Sequence, residues 1–302
     1  MAWVVGIDEA GYGPNLGPLL QAAVAVKLPD DDDAGWNHLR SIVKRIGEKH
    51  AAPLLIDDSK KVHSGKHGFA RLHDGLAGWL QWNACNFAEL LLQHGLPNTI
   101  DEIEQEAWYA GTEPIAGRQP MLAAIPEAGP VVVRLVHPKR FNEVTRASGS
   151  KATVLSDGLQ ELMQAMLVKL PGEEPIRFLC DKQGGRTYYA PFLQATFPDG
   201  WVHADFEKAE ESRYRIENLN RRIVITFQPR ADGASVSVAL ASMFCKYLRE
   251  LCMKQFNAYW AVRVPGIKPT AGYPLDAKRF YAEIAELLPN LNLSAEQIWR
   301  EK

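Results

Sequence analysis

Cysteine is scarce, with Cys85, Cys180, Cys245 and Cys252 the only four in 302 residues, and no two of them form a C-x-x-C pair. That excludes a disulfide framework and a cysteine-based zinc site. Cys245 and Cys252 stand seven apart on an expected helix, so they share a face and pack as small hydrophobes. No apolar run approaches the roughly 20 residues that a membrane span needs. The opening residues have no basic region or apolar signal core, because Asp8 and Glu9 interrupt them. A reduced cytoplasm with no membrane partner is the expected setting. Excess charge of one sign is missing too: 34 Lys and Arg oppose 36 Asp and Glu, for a net charge of −2. Binding of a polyanion therefore requires a local basic patch. Acids gathered at one metal site remain compatible with that balance.

The rest is a mixed pattern of strands and helices, with no internal repeat or low-complexity tract. "AWVVGID" (2–8) reads as a buried strand, and "LLQAAVAVKL" (19–28) as a second. The acidic run Asp30 to Asp33 reads as a solvated turn. A helix is expected over "WNHLRSIVKRIGEKH" (36–50), then a short strand at "PLLID" (53–57) and helical spacing from about 67 to 94. Residues 95–130 have no clear period, which suggests an insertion. "VVVRLV" (131–136), "IRFLCD" (176–181) and part of 220–232 read as strands. Helices are expected over 151–170, 235–258, from 275 through the 280s, and near 294–301. Alternation of the two element types implies an α/β architecture.

Acids stand at the ends of these strands. Asp8 and Glu9 precede the loop "GYGPNLGP" (11–18), Asp181 closes a later strand, and Asp232 lies between a strand and the long helix. Mg²⁺ is held by a few carboxylates while it keeps waters and substrate phosphates. Phosphodiester hydrolysis with two such ions needs carboxylates converging from different strands, because neighbours on one strand point to opposite faces. Each acid is equally an ordinary strand-end or turn carboxylate, and position alone does not decide.

Other uses of the glycine loop fit less well. The glycines at 11, 13 and 17 precede a strand, where a dinucleotide fingerprint requires a helix. An actin-like ATPase would use "GIDEAG" and "DKQGGRT" (181–187) as phosphate loops, yet the first loop has no Ser or Thr.

Five segments in order resemble the type 2 ribonucleases H, the ribonuclease HII and HIII family: "GIDEAGYGPNLGPL", "DDSKKV" (57–62), "DKQGGRTYYAPFLQATFP" (181–198), "RADGASVSVALASMFCKYLREL" (230–251) and "AGYP" (271–274). The resemblance implies a ribonuclease H-like α/β fold, a mixed β-sheet flanked by helices, with a helical C-terminal region and insertions. It places one catalytic domain over 1–283, with insertions at about 95–130 and about 200–225, and a helical extension over 284–302. It implies metal-dependent endonucleolytic hydrolysis of the RNA strand in RNA–DNA hybrids, leaving 5′-phosphate and 3′-hydroxyl ends.

Carried over residue by residue, Asp8, Glu9, Asp181 and Asp232 become catalytic ligands of two Mg²⁺ or Mn²⁺ ions. Gly11, Tyr12 and Gly13 approach the ribose, and Tyr273 stacks near the sugar. Lys60, Lys246 and Arg249 become phosphate contacts. The partner is an RNA–DNA hybrid or a ribonucleotide-containing duplex. One departure stands out: the family has Arg or Lys where this chain has Tyr12, and a phenol cannot pair with phosphate as a cation does. A relative that binds nucleic acid with altered specificity, or without cutting, is the alternative.

Overall fold

Alternating apolar side chains give β1 (Ala2–Ala10) two buried faces, and it lies inside a seven-stranded sheet. The computed structural model describes residues 1–81, 86–109, 115, 124–170 and 172–301. The elements after β1 are β2 (Leu19–Leu28), the two-residue strands β3 (Val43–Lys44) and β4 (Leu54–Leu55), α1 (Ser59–Val62), α2 (Gly68–Leu80), α3 (Phe87–His94) and α4 (Pro97–Glu104). Then come β5 (Ala128–Val136), α5 (Pro138–Ser148), α6 (Ala152–Lys169), β6 (Ile176–Asp181), α7 (Ala190–Thr196), β7 (Trp201–Glu207), β8 (Ser212–Glu217) and β9 (Ile223–Gln228). The chain ends in α8 (Ala231–Ala234), α9 (Val236–Arg263), α10 (Pro274–Ile284) and α11 (Ala295–Ile298).

The sheet runs β5-β2-β1-β6-β9-β8-β7. β1, β6 and β9 are parallel neighbours, whereas β2 and β8 run against them. Period-two alternation sorts the side chains between two layers. Val4, Leu20, Ala22, Val24, Val133 and Leu179 pack in one core with α9 and α2. Val5, Ile7, Ala23, Val132, Phe178 and Cys180 pack in the other with α6 and α7. Gly6 lets α9 approach, because a Cβ there would lie 2.2 Å from the Ser237 carbonyl carbon. This is the ribonuclease H-like α/β arrangement expected from the sequence. Among the described residues, no helix is long and apolar enough to cross a membrane.

The helix expected over 36–50 does not form. That stretch is a series of turns with β3 inside it. Turn bonds between main-chain groups take some of its amides and side chains take others: Ile46 N donates to Asp57 Oδ2 at 3.1 Å and Arg45 N to Glu48 Oε2 at 2.8 Å. Gly47, at φ +88°, turns the chain away. Conversely, the sequence pattern gives no expectation of α5, although Pro138 at its start and left-handed Gly149 at its end are the usual start and stop signals. The β7–β8 hairpin and α7 were not read either. Within 95–130 the structure forms α4 and the start of β5, while 110–114 and 116–123 lie outside the described residues, as does Cys85. The turn at Asp30–Asp33 is pinned by Arg177, whose Nη1 lies 2.8 Å from Asp33 Oδ1. Cys180, Cys245 and Cys252 are buried free thiols.

A buried acid cluster lies where α4 meets β5. Glu102 Oε2 accepts the His137 amide at 3.0 Å, and Glu106 Oε1 lies 3.8 Å from His137 Nδ1. Burial, then Glu102, pushes the Glu106 carboxyl up to about 9, while burial lowers His137 to about 3. The native state therefore keeps a proton on Glu106 that the unfolded chain releases above its ordinary value of 4.5. That contribution to stability is complete below pH 4.5 and is lost as pH rises through about 9. At pH 7 the loss amounts to roughly 3 kcal/mol. Glu106→Gln should match the wild-type protein in thermal denaturation at pH 5 and exceed it at pH 8. Coincident melting curves at pH 8 would refute a protonated Glu106.

Candidate active site

Strand register brings the acids together. Ile7 pairs with Cys180 across parallel β1 and β6, so Asp8 and Asp181 follow at the same level. Asp181 pairs with Gln228 of β9, and the chain then turns through left-handed Arg230 into α8, which carries Asp232. The acids therefore stand where parallel strands end, the usual place for a site in an α/β sheet.

Electrostatics record the convergence. Burial raises Asp8 well above the ordinary carboxylate range, helped by Glu9 and Asp181 and opposed by hydrogen bonds from Ser242 and the Glu9 amide. That amide donates to Asp8 Oδ1 at 2.8 Å. Glu9 is pushed up to about 7 by burial and then by Asp181, and Lys60 pulls it down. Asp181 is raised by burial despite backbone donors, including Ala231 N at 3.5 Å. Burial and then Asp58 raise Asp232, with Asp181 adding to the effect. Exposed Lys60 lowers Glu9, Asp181 and Asp232 alike, so one ammonium faces three acids.

The donor chemistry suits a hard divalent cation: oxygen ligands only, crowded so that added positive charge relieves their repulsion. Among the described residues, however, no three Asp, Glu, His or Cys side chains stand close enough together to hold a metal ion. The acids share one mouth without closing on one point.

The glycine loop and the Tyr273 turn form one unit beside this mouth. Asn15 N and Leu16 N donate to the Gly272 carbonyl at 2.8 and 3.3 Å. Gly11 sits at φ +91°, and a Cβ there would lie 2.5 Å from the Pro18 carbonyl oxygen. Tyr12 is half-buried against Leu19, Val136 and Phe141, and the Lys151 ammonium lies 4.8 Å from its ring centroid. Gly13 and Tyr273 are exposed.

Lys246 and Arg249 of α9, expected as phosphate contacts, are engaged within the protein. Lys246 pairs with Glu250 at 2.6 Å. Arg249 is buried under the loop, donating to the Ala271 and Leu16 carbonyls at 2.9 and 3.5 Å. It lies beneath the loop, held by main-chain carbonyls. Asp58 and Ser242 were missed as site neighbours. Asp58 caps α1 through Lys60 N at 2.7 Å, and the Ser242 hydroxyl joins Ser59 at 3.0 Å. Both stand inside the motifs quoted above, so the signal was present.

No protein-family model and no curated protein matches the chain. Solved structures do. The structure of the PCNA–ribonuclease HII complex from Archaeoglobus fulgidus aligns with a TM-score of 0.50 at 16% identity, over 99% of this chain and 94% of that one. Ribonuclease H2 from Pyrococcus horikoshii OT3 gives 0.48 at 15% identity, over 98% and 92%. Bst-RNase HIII, solved with Mn²⁺, gives 0.47 at 15%, over 99% and 66%. The first of these shows that the chain shares the ribonuclease HII fold; what the site does has to come from its own side chains.

Because Asp181 raises its neighbours, Asp181→Asn should bring Glu9 below about 7. It should also raise the Tm at pH 7 by about 2 °C, since one of several repelling charges is gone. Carboxyl ¹³C titration and calorimetry measure both. A lowered Tm with Glu9 unmoved would show that the acids do not interact.

Proposed function

We propose that this chain acts on the backbone of RNA-containing duplexes, RNA–DNA hybrids or DNA with embedded ribonucleotides, at the acid-lined mouth of the sheet. The observation that carries this is that strand register brings Asp8, Asp181 and Asp232 to one edge of the sheet, with Glu9 beside Asp8, next to a backbone loop joined to an exposed tyrosine. The finer proposal is a metal-dependent endoribonuclease that leaves 5′-phosphate and 3′-hydroxyl ends. Asp8, Glu9, Asp181 and Asp232 would hold Mg²⁺ or Mn²⁺; the ions, when bound, would activate water and stabilise the departing 3′ oxygen.

The chain's own residues supply the rest. Lys60 balances part of the acids' charge and offers a donor to a non-bridging phosphate oxygen. The loop backbone at Gly11 and Gly13 is free of side chains that would keep a strand away, and a ribose 2′-OH is the group that identifies RNA there. Tyr273, 55% exposed, presents a face for a sugar or base.

One observation favours the second proposal, a relative that binds without cutting or with altered specificity. The acids do not close on one point, and the loop carries Tyr12 with Lys151 over it. The positive charge is then supplied from the start of α6 and not from the loop itself, which changes where a phosphate can sit.

End-labelled duplexes containing an RNA tract or a single ribonucleotide, incubated with Mg²⁺, Mn²⁺ or EDTA, separate these. Cleavage at the ribonucleotides that requires metal and falls at least about 10³-fold in Asp181→Asn supports the nuclease. Tight binding of the same duplexes with no cleavage in either metal favours the binding protein. Neither binding nor cleavage, with a thermal shift on adding ATP, would overturn both in favour of a nucleotide-binding protein.

A further inference from the structure

Beneath the glycine loop lies a guanidinium that forms no ion pair with a carboxylate among the described residues. Arg300 follows α11 and is 1% exposed. Its main chain joins the loop as a strand would: Arg300 N donates to Asn15 O at 2.8 Å, and Asn15 Nδ2 donates back to Arg300 O at 2.9 Å. Leu16 and Trp299 form the adjoining antiparallel bridge. The Arg300 Nη2 donates to the Gly11 carbonyl at 2.5 Å and also to the Pro14 carbonyl. The guanidinium carbon lies 4.9 Å from the Phe141 ring centroid. Its Nε and Nη1 find no hydrogen-bond partner among the described residues. Burial and then the like charge of Arg249 pull its pKa down to about 9.

A residue needed only for packing would not carry this charge. A buried cation without a counter-ion loses its hydration and gains no Coulomb energy, and an apolar side chain of similar size fills such a space at lower cost. What the guanidinium adds is a terminal amino group, held in the plane of a rigid head, whose two hydrogens reach two carbonyls at once. Those carbonyls belong to Gly11 and Pro14, so Tyr12 and Gly13 are the residues suspended between them. Arg249 secures the far side through Leu16 and Ala271, and the Gly272 carbonyl ties the loop to the Tyr273 turn.

We propose that Arg300 is a positioning residue for substrate choice: by holding the Gly11 and Pro14 carbonyls from below, it sets where Tyr12 and Gly13 stand relative to the acids. The preference for a ribose-containing strand then depends on a residue that touches no substrate. This rests on the functional reading above.

The test compares the full chain with Arg300→Met and Arg300→Lys. Fluorescence anisotropy in EDTA gives the affinity for an RNA–DNA hybrid and for a DNA duplex of the same sequence. Hydrogen exchange of amides 11–16 reads the loop without any substrate. Arg300→Met should lose about tenfold of the hybrid preference and exchange its loop amides faster. Arg300→Lys, which keeps the charge but is shorter and lacks the planar head that aims Nη2 between the two carbonyls, should fall between, with a loss of about threefold or more. Folded variants with wild-type preference and wild-type loop exchange would overturn the proposal. If Arg300→Met does not fold, Arg300→Lys decides alone: a reduced preference supports the role, and an unchanged one overturns it. Wild-type protein with no hybrid preference would remove the functional reading instead, and loop exchange would still decide whether Arg300 holds the loop.

Discussion

The acid-lined mouth depends on how closely α9 approaches β1 at Gly6. With any side chain there, the helix backbone at Ser237 and Val238 would have to move outward. Every later residue of α9 that serves the site is placed by this contact. Cys245 donates its thiol to the Asp8 carbonyl at 3.3 Å, and Ser242 links the Asp8 carboxyl to α1. Arg249 arrives under the loop one turn further on. A small residue in one strand thereby fixes the alignment of two strand-end acids, the capping motif that carries Lys60, and the loop beside them.

The same alignment is electrostatically costly. Four carboxylates with raised pKa values on one edge, countered in part by a single exposed ammonium, do not stabilise a native state. The buried pair of guanidiniums beneath the loop, Arg249 and Arg300, opposes folding for the same reason with the opposite sign. Acids above and bases below a glycine loop form a polarised site, in which the loop carbonyls face the cations. A second perturbed cluster, Glu102, Glu106 and His137, lies where α4 meets β5, and the rest of the interior is two apolar layers divided by the sheet.

Much of this was legible in the sequence, and what was not has a physical pattern. β1, β2, β6 and α9 were readable because each buries an apolar run of the right period. The positions of Asp8, Asp181 and Asp232 followed from where those runs stop. The stretch 36–50 was misread because Trp36, Leu39, Ile42 and Val43 have helical spacing, while the carboxylates of Glu48 and Asp57 compete for its amides. The second of these is supplied by the segment leading into α1, beyond any local window. Arg249 was readable as basic and helical, but its inward direction depends on the loop it supports. Arg300 was invisible: its partners are main-chain carbonyls 289 and 286 residues away, and no side-chain pattern announces such a bond.

Tyr12 shows how a single departure from an expected pattern can be redistributed through a fold. The phenol cannot carry charge at neutral pH, and both burial and Glu9 push its pKa further up. Its ring instead provides a face, and Lys151 lies over it. Arg300, which follows α11, holds the carbonyls on either side of Tyr12–Gly13. The cation beside the loop therefore comes from the start of α6 and the support of its frame from beyond α11, two elements far apart in sequence that meet at one turn.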